Sequence, residues 1–164
     1  MAIPLYWTVL SKAGNSSTQE RIDLLERFFN QFPSLSIEAL VADREFIGQK
    51  WFSYLKEKDF HFVMRLRSNF KAKRKGTKKT VKEWCRGLSI SETYQLEATF
   101  IVNGVAVYLS VSRTEKGYVY LASPVFVEVI FQIYKQRWEI DHEVALKVDT
   151  IQSTKNTGIQ FRKY

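Results

Sequence analysis

An α/β fold carrying a β-rich insertion is predicted by three patterns in this 164-residue sequence. Helix-period segments with capping signals alternate with short apolar runs through the first third of the chain, the order strand, helix, strand, helix, strand that builds an α/β sheet. Two long alternating segments then meet at Asn103-Gly104, a dipeptide that turns a hairpin because both of its residues tolerate positive φ. A helix-period segment follows Ser123-Pro124 and returns the chain to the first layer. The predicted organisation is 1–69 for the first part of the core, 70–122 for the insertion with a basic loop, 123–148 for the returning helix, and 149–164 for a divergent tail. At 45% hydrophobic, the chain is long enough to bury one core.

Each element rests on its own pattern. Ile3, Leu5, Trp7 and Val9 alternate with Pro4, Tyr6, Thr8 and Leu10 as a strand does. Ser17 and Glu20 form the two ends of a capping box ahead of Ile22, Leu25, Phe28, Phe29 and Phe32, and Pro33 stops the helix they begin. The apolar run from Ile37 ends on Asp43 and predicts a buried strand. Gly48 precedes a second helix, on which Trp51, Phe52 and Leu55 share a face. Phe60, Phe62, Met64 and Leu66 alternate with His61, Val63, Arg65 and Arg67 in the next strand. Beyond the basic segment, Tyr94 to Val102 and Val105 to Arg113 flank the Asn103-Gly104 turn, and Tyr118 to Ala122 follows the Glu115-Lys116-Gly117 turn. The closing helix, from Ser123-Pro124 through Phe126 to Val144, places Ile130, Tyr134, Arg137 and Asp141 on one stripe.

Three features carry chemistry, and each has a plainer reading beside it. Asp43 ends a buried strand at the rim of a sheet, where α/β enzymes place reactive groups; it is also a residue type that caps helices, although Phe46 cannot complete a capping box. Lys71, Lys73, Arg74, Lys75, Lys78, Lys79 and Lys82 form a segment without an acid that holds nearly all of the chain's net charge of +8. Such a segment predicts a solvated loop, either a soluble hairpin tip or a clamp for a phosphate backbone with steep salt dependence. Arg137 and Asp141 on an inward stripe are either an i, i+4 ion pair or half of an active site. Trp51, Trp84 and Trp138 are each able to stack on bases, with core packing favoured for Trp51.

Composition excludes other classes. A single cysteine, Cys85, leaves no internal disulfide and no cysteine-built zinc site, and two histidines, His61 and His142, make a zinc centre a poor expectation. The longest apolar stretch, Val125 to Tyr134, is interrupted by Glu128, and the N-terminus lacks a basic region followed by an apolar one. Neither a membrane span nor a signal peptide is expected, and a reducing cytoplasm fits.

The opening Ala-Ile-Pro-Leu-Tyr-Trp-Thr-Val-Leu of residues 2–10, the Ala42-Asp43-Arg44-Glu45-Phe46 segment, and Tyr134-Lys135-Gln136-Arg137-Trp138-Glu139-Ile140 followed by Asp141 come in one order with a β-rich insertion between the last two. Over residues 1–141 the chain resembles bacterial insertion-sequence transposases of the DDE type, specifically the family-four group with the Tyr-Arg-Glu-Lys signature. The resemblance implies a ribonuclease-H-like mixed sheet with flanking helices. It also implies DNA cutting and strand transfer with two divalent cations, usually magnesium, held by three carboxylates. Asp43 matches the second acid and Asp141 the third; Tyr134 and Arg137 match residues used near the DNA backbone. The implied partners are double-stranded DNA at transposon ends and another transposase chain, in a bacterial cytoplasm.

The sequence also departs from that pattern. In such transposases the first catalytic Asp lies on a strand preceding the one that opens this chain, so the expectation is a truncated, inactive copy without that ligand. Asp141 is one methylene shorter than the usual Glu. Five residues separate Asp141 from Lys147, against six in the signature, which rotates the lysine about 100° around a helix. A frameshift near the third acid would produce the unfamiliar residues 142–164. The alternative function is a DNA-binding fragment without chemistry that uses the basic segment, Tyr134 and Arg137; a nuclease or resolvase fits the acids but not the Tyr134-to-Arg137 spacing.

Overall fold

The computed structural model describes residues 8, 11, 14–34, 37, 39–126 and 128–135. The expected strand over Ile3 to Val9, together with Arg137, Trp138, Asp141 and Lys147, lies outside these residues. The first helix, α1 (Thr18–Gln31), starts as its capping box dictates: the Glu20 N–H donates to Ser17 Oγ at 3.3 Å and the Ser17 N–H donates to Glu20 Oε2 at 2.6 Å. Ile22, Leu24, Leu25 and Phe28 are its buried face. Strand β1 (Leu40–Ala42) is followed by α2 (Gln49–Glu57), whose Trp51, Phe52 and Leu55 are fully buried, and by β2 (Phe62–Leu66). β1 and β2 pair in parallel, Leu40 with Phe62 and Ala42 with Met64. A parallel pair needs a crossover, and α2 is that crossover.

The basic segment is solvated and turns as a hairpin, one of the two expected readings, but it is paired strand and not loop. Lys71–Arg74 and Thr77–Thr80 are strands β3 and β4, paired from Lys71 with Thr80 to Arg74 with Thr77. Lys75 and Gly76 both take positive φ, 45° and 79°, which gives the connection the backbone twist of a two-residue hairpin. Charge repulsion does not oppose this structure because the cations stay in water while Ala72 alone of β3 is buried. Thr80 and Glu83 then form a second capping box on the short helix α3 (Val81–Trp84), and Val81 anchors it in the core.

Strands β5 (Thr93–Val102) and β6 (Val105–Thr114) form the expected hairpin, with Val102 opposite Val105 and positive φ at both Asn103 and Gly104. An irregularity between Gln95 and Thr99 shifts the register and bends the pair. β7 (Gly117–Ser123) closes a mixed seven-stranded sheet in the order β1-β2-β7-β6-β5-β3-β4. Strands β3 to β7 therefore extend the sheet that β1 and β2 begin, through the antiparallel pairing of β2 with β7.

The closing helix also starts later than Ser123-Pro124 predicts. Ser123 is the last residue of β7, opposite Tyr108, and its Oγ accepts from the Val125 N–H at 3.4 Å, so it shapes a turn instead of capping a helix. Helix α4 occupies 130–135 among the described residues.

Both faces of the sheet are covered near β1 and β2. The main core packs α1 and α2 on one face around Phe52, Phe62, Met64, Phe100, Leu109 and their neighbours. A second, smaller core on the other face joins Val63 and Leu121 of the sheet to Ile130 and Tyr134 of α4. Phe62, Met64 and Leu66 thus face one core, and Val63 between them the other, which is why β2 reads as a nearly continuous apolar run.

Candidate active site and nucleic-acid interface

Asp43 stands where the pairing of β1 with β2 stops, at the carboxyl end of a parallel pair. Val41 packs against the second core and Ala42 belongs to the first, so the period-two alternation of a strand returns position 43 to the side of Val41 and α4. The carboxylate is partly exposed, and its Oδ1 accepts from the Arg44 N–H at 2.7 Å. The Asp43 carbonyl accepts from the Phe46 N–H at 2.9 Å, which makes residues 43–46 a tight turn. The plainer reading, a helix cap, does not hold: α2 begins at Gln49 after Gly48, with no side-chain cap.

This turn is held from behind by a residue that sequence patterns do not single out. Arg21 of α1 is 7% exposed. Its Nε donates to Ser16 Oγ at 2.9 Å, one terminal nitrogen to the Ser16 carbonyl at 2.7 Å, and the other to the Glu45 carbonyl at 3.1 Å. The guanidinium carbon lies 4.4 Å from the centre of the Phe46 ring. Burial lowers the arginine's pKa, while the charges of Glu45 and Glu20 work against that shift. The only signal in the sequence is an arginine between Glu20 and Ile22 on a helix whose buried stripe is otherwise apolar.

Of the residues expected near DNA, Tyr134 is 2% exposed and packs its ring against the second core with Val63, Leu121 and Ile130. Its stripe with Ile130 is therefore an inward stripe, as the spacing predicts. Arg137, Asp141 and Lys147 lie outside the described residues. Asp43 is the acid that the described residues bring to this rim, and no group of three His, Cys, Asp or Glu side chains able to hold a metal ion occurs among them. A partly exposed carboxylate at a strand end suits a hard cation as one ligand of several.

The basic hairpin has two unlike faces. In the β3–β4 register, Lys73 stands opposite Lys78, and Ala72 opposite Lys79. On the Ala72 side the cations lie over rings: Arg74 is 5.7 Å from the centre of Phe100 and Lys79 is 5.2 Å from that of Trp84. Trp84 itself donates from Nε1 to the Ala72 carbonyl at 3.0 Å and meets Phe100 edge-on. On the other side, Lys71, Lys73 and Lys78 line an open groove of about 740 Å³ with Arg67 of the segment after β2. Phe70 and the exposed Ile101, which pairs with Lys73, add apolar surface, and the Asn103-Gly104 turn bounds the groove. That turn lies close to the start of α2, since a Cβ added at Gly104 would meet Gln49 Nε2 at 3.7 Å. One end of the groove is thus near the helix that follows the Asp43 turn.

No helix among the described residues is long and apolar enough to cross a membrane. Neither a curated protein nor a solved structure matches the chain. Residues 4–142 match the family model described as "Transposase DDE domain", a span that runs through Asp43 and Asp141, and the chain belongs to that family.

Proposed function

We propose that this chain is the ribonuclease-H-like catalytic domain of an insertion-sequence transposase of the family-four group, with residues 70–122 as its β-rich insertion and Asp43 as a metal-binding catalytic carboxylate. The observation that carries the reading is Asp43 at the carboxyl end of β1 in the parallel β1-α2-β2 unit, with α4 packed on the same side of the sheet. Membership of the transposase family makes DNA the substrate. The double-stranded ends of a transposon are its natural form.

In this reading Asp43 and Asp141 hold the divalent cation, magnesium in such enzymes. When bound, the metal lowers the cost of ionising an attacking hydroxyl and neutralises charge that builds on the phosphate. The chain's own residues do the rest. Arg21 and the 43–46 turn fix the carboxylate before substrate arrives, so its position costs nothing at the moment of reaction. Tyr134 seats α4 on the sheet beside Val63 and Leu121. Arg137 binds a backbone phosphate with its planar fork.

The test is nicking of a duplex carrying inverted terminal sequences, with magnesium present, by the wild-type chain and by Asp43→Ala. Cleavage by the wild type that disappears in Asp43→Ala supports the assignment of Asp43 and overturns the expectation of an inactive copy, whereas cleavage that survives Asp43→Ala overturns the assignment. Asp141→Glu, which restores the missing methylene, is expected to raise the rate. A second measurement is independent of turnover: Mn2+ broadens the amide signal of Arg44 in wild type and leaves it sharp in Asp43→Ala. A second reading, DNA binding without cutting, is favoured by the cationic groove; it predicts wild-type DNA affinity with neither nicking nor Mn2+ broadening.

A further inference from the structure

We infer that Arg67, Lys71, Lys73 and Lys78 form a track for the phosphates of a DNA strand leading to the Asp43 turn, whereas Arg74 and Lys79 of the same hairpin are structural. The inference deepens the proposed reading and rests on DNA being the substrate. A run of cations on one hairpin would ordinarily be treated as one patch. The pairing register divides it.

Strand alternation sends Lys71 and Lys73 to one face and Ala72 and Arg74 to the other, and the β4 partners follow, Lys78 with Lys73 and Lys79 with Ala72. Ala72 is fully buried, so its face is the inner one. There Arg74 and Lys79 cover the rings of Phe100 and Trp84, where their aliphatic stems and charges seal the edge of the core. The outer face carries the groove, whose lining includes four cations and no acid. Lys71 also lies near enough to Glu83 of the neighbouring α3 cap for its charge to help lower that carboxyl's pKa. Ile101, 44% exposed and opposite Lys73, gives the groove an apolar patch that a sugar–phosphate backbone covers with its deoxyribose. The end of the groove at Asn103-Gly104 lies close to Gln49 at the start of α2, since a Cβ added at Gly104 would meet Gln49 Nε2 at 3.7 Å. A strand lying along the cations would therefore run from Arg67, just past β2, toward the start of the helix that follows the Asp43 turn.

Two double variants with the same change in net charge separate track from patch. Lys73→Gln with Lys78→Gln alters the groove; Arg74→Gln with Lys79→Gln alters the inner face. Binding of a short duplex is followed by fluorescence anisotropy in EDTA over a range of potassium chloride, so metal chemistry plays no part. Each groove lysine that meets a phosphate contributes about 0.9 to the slope of log affinity against log salt. The groove variant is expected to lose close to two such increments, while the inner-face variant keeps the wild-type slope and melts at a lower temperature. Thermal unfolding of both confirms that each binds as a folded protein. Equal losses of slope in the two variants, or a wild-type slope in the groove variant, overturn the inference and leave the transposase reading standing. A wild-type chain that binds no duplex even at low salt overturns both.

Discussion

At the scale of single residues, the two most informative side chains are the ones that hold others in place. Arg21 gathers Ser16, the Glu45 carbonyl and the Phe46 ring around one buried guanidinium. Removing it takes the donor from the Ser16 carbonyl, in a buried hydrogen bond, and from the Glu45 carbonyl, in a part-buried one. Arg21→Ala is therefore expected to cost about 2–4 kcal/mol in urea unfolding, with an unchanged dependence on denaturant. Because the lost contacts border the Asp43 turn, the same variant should also weaken Mn2+ broadening at Arg44. A second cluster joins α1 to α2 at the surface: Lys58 Nζ lies 2.9 Å from Glu26 Oε1, and the Tyr54 hydroxyl donates to the same oxygen at 2.8 Å. The Lys58 hydrogen bond, followed by the Tyr54 one, holds the Glu26 carboxyl below its usual 4.5. A lowered folded pKa stabilises the fold above the unfolded value and loses that contribution as pH falls through the folded one. Glu26→Gln is thus expected to flatten the stability-against-pH curve below about pH 5 and to leave it unchanged near neutrality. The effect is small, since the pair is well exposed.

At the scale of elements, what could be read from the sequence was whatever local chemistry alone decides. Ser17 with Glu20 set the start of α1, Gly48 delayed α2, and Asn103-Gly104 fixed the β5–β6 register, because each acts through its own backbone. Ser123-Pro124 misled for the complementary reason. A residue type that caps helices also terminates strands and shapes turns, and the pairing of Ser123 with Tyr108 decides which role it takes. The β3–β4 hairpin was legible only as a possible hairpin tip and not as paired strands, because its turn, Lys75-Gly76, puts a lysine at φ 45°, a conformation that costs an ordinary side chain about 1–2 kcal/mol and is no recognised signal. That cost suggests a direct check. Lys75→Asn converts the connection to Asn-Gly and is expected to raise the melting temperature without changing the salt slope of DNA binding, since Lys75 does not line the groove. Gly104→Ala is expected to do the reverse in the neighbouring turn. Gly104 has φ 81°, so the added methyl should cost about 1–2 kcal/mol of stability, although Gln49 leaves it room.

At the scale of the whole molecule, the candidate site was only half legible, since the proposed carboxylate, Asp43, stood out by ending an apolar run while the residues around it did not. Arg21 is remote from it in sequence, and the groove is assembled from the end of β2, the basic hairpin and the β5–β6 turn, a combination that appears only when the sheet is built. The order of that sheet also gives the lysines a second duty. Among the described residues β4 is an edge, next to β3 alone, and an unpaired edge is a template for another chain. Thr77, Lys78 and Lys79 along it are exposed, and the charges keep two such edges apart. At Lys78, edge protection and the proposed phosphate binding therefore draw on the same side chain but in different chemical terms. Replacing Lys78 and Lys79 by valine removes charge and adds β-propensity, so soluble aggregates are expected by light scattering at concentrations where the wild type stays clear. Replacing both by glutamate keeps the edge charged, so that variant is expected to stay clear as well while binding duplex DNA more weakly than wild type. If the glutamate variant aggregates like the valine one, edge charge is not what keeps β4 unpaired, and the groove would have to be explained by binding alone.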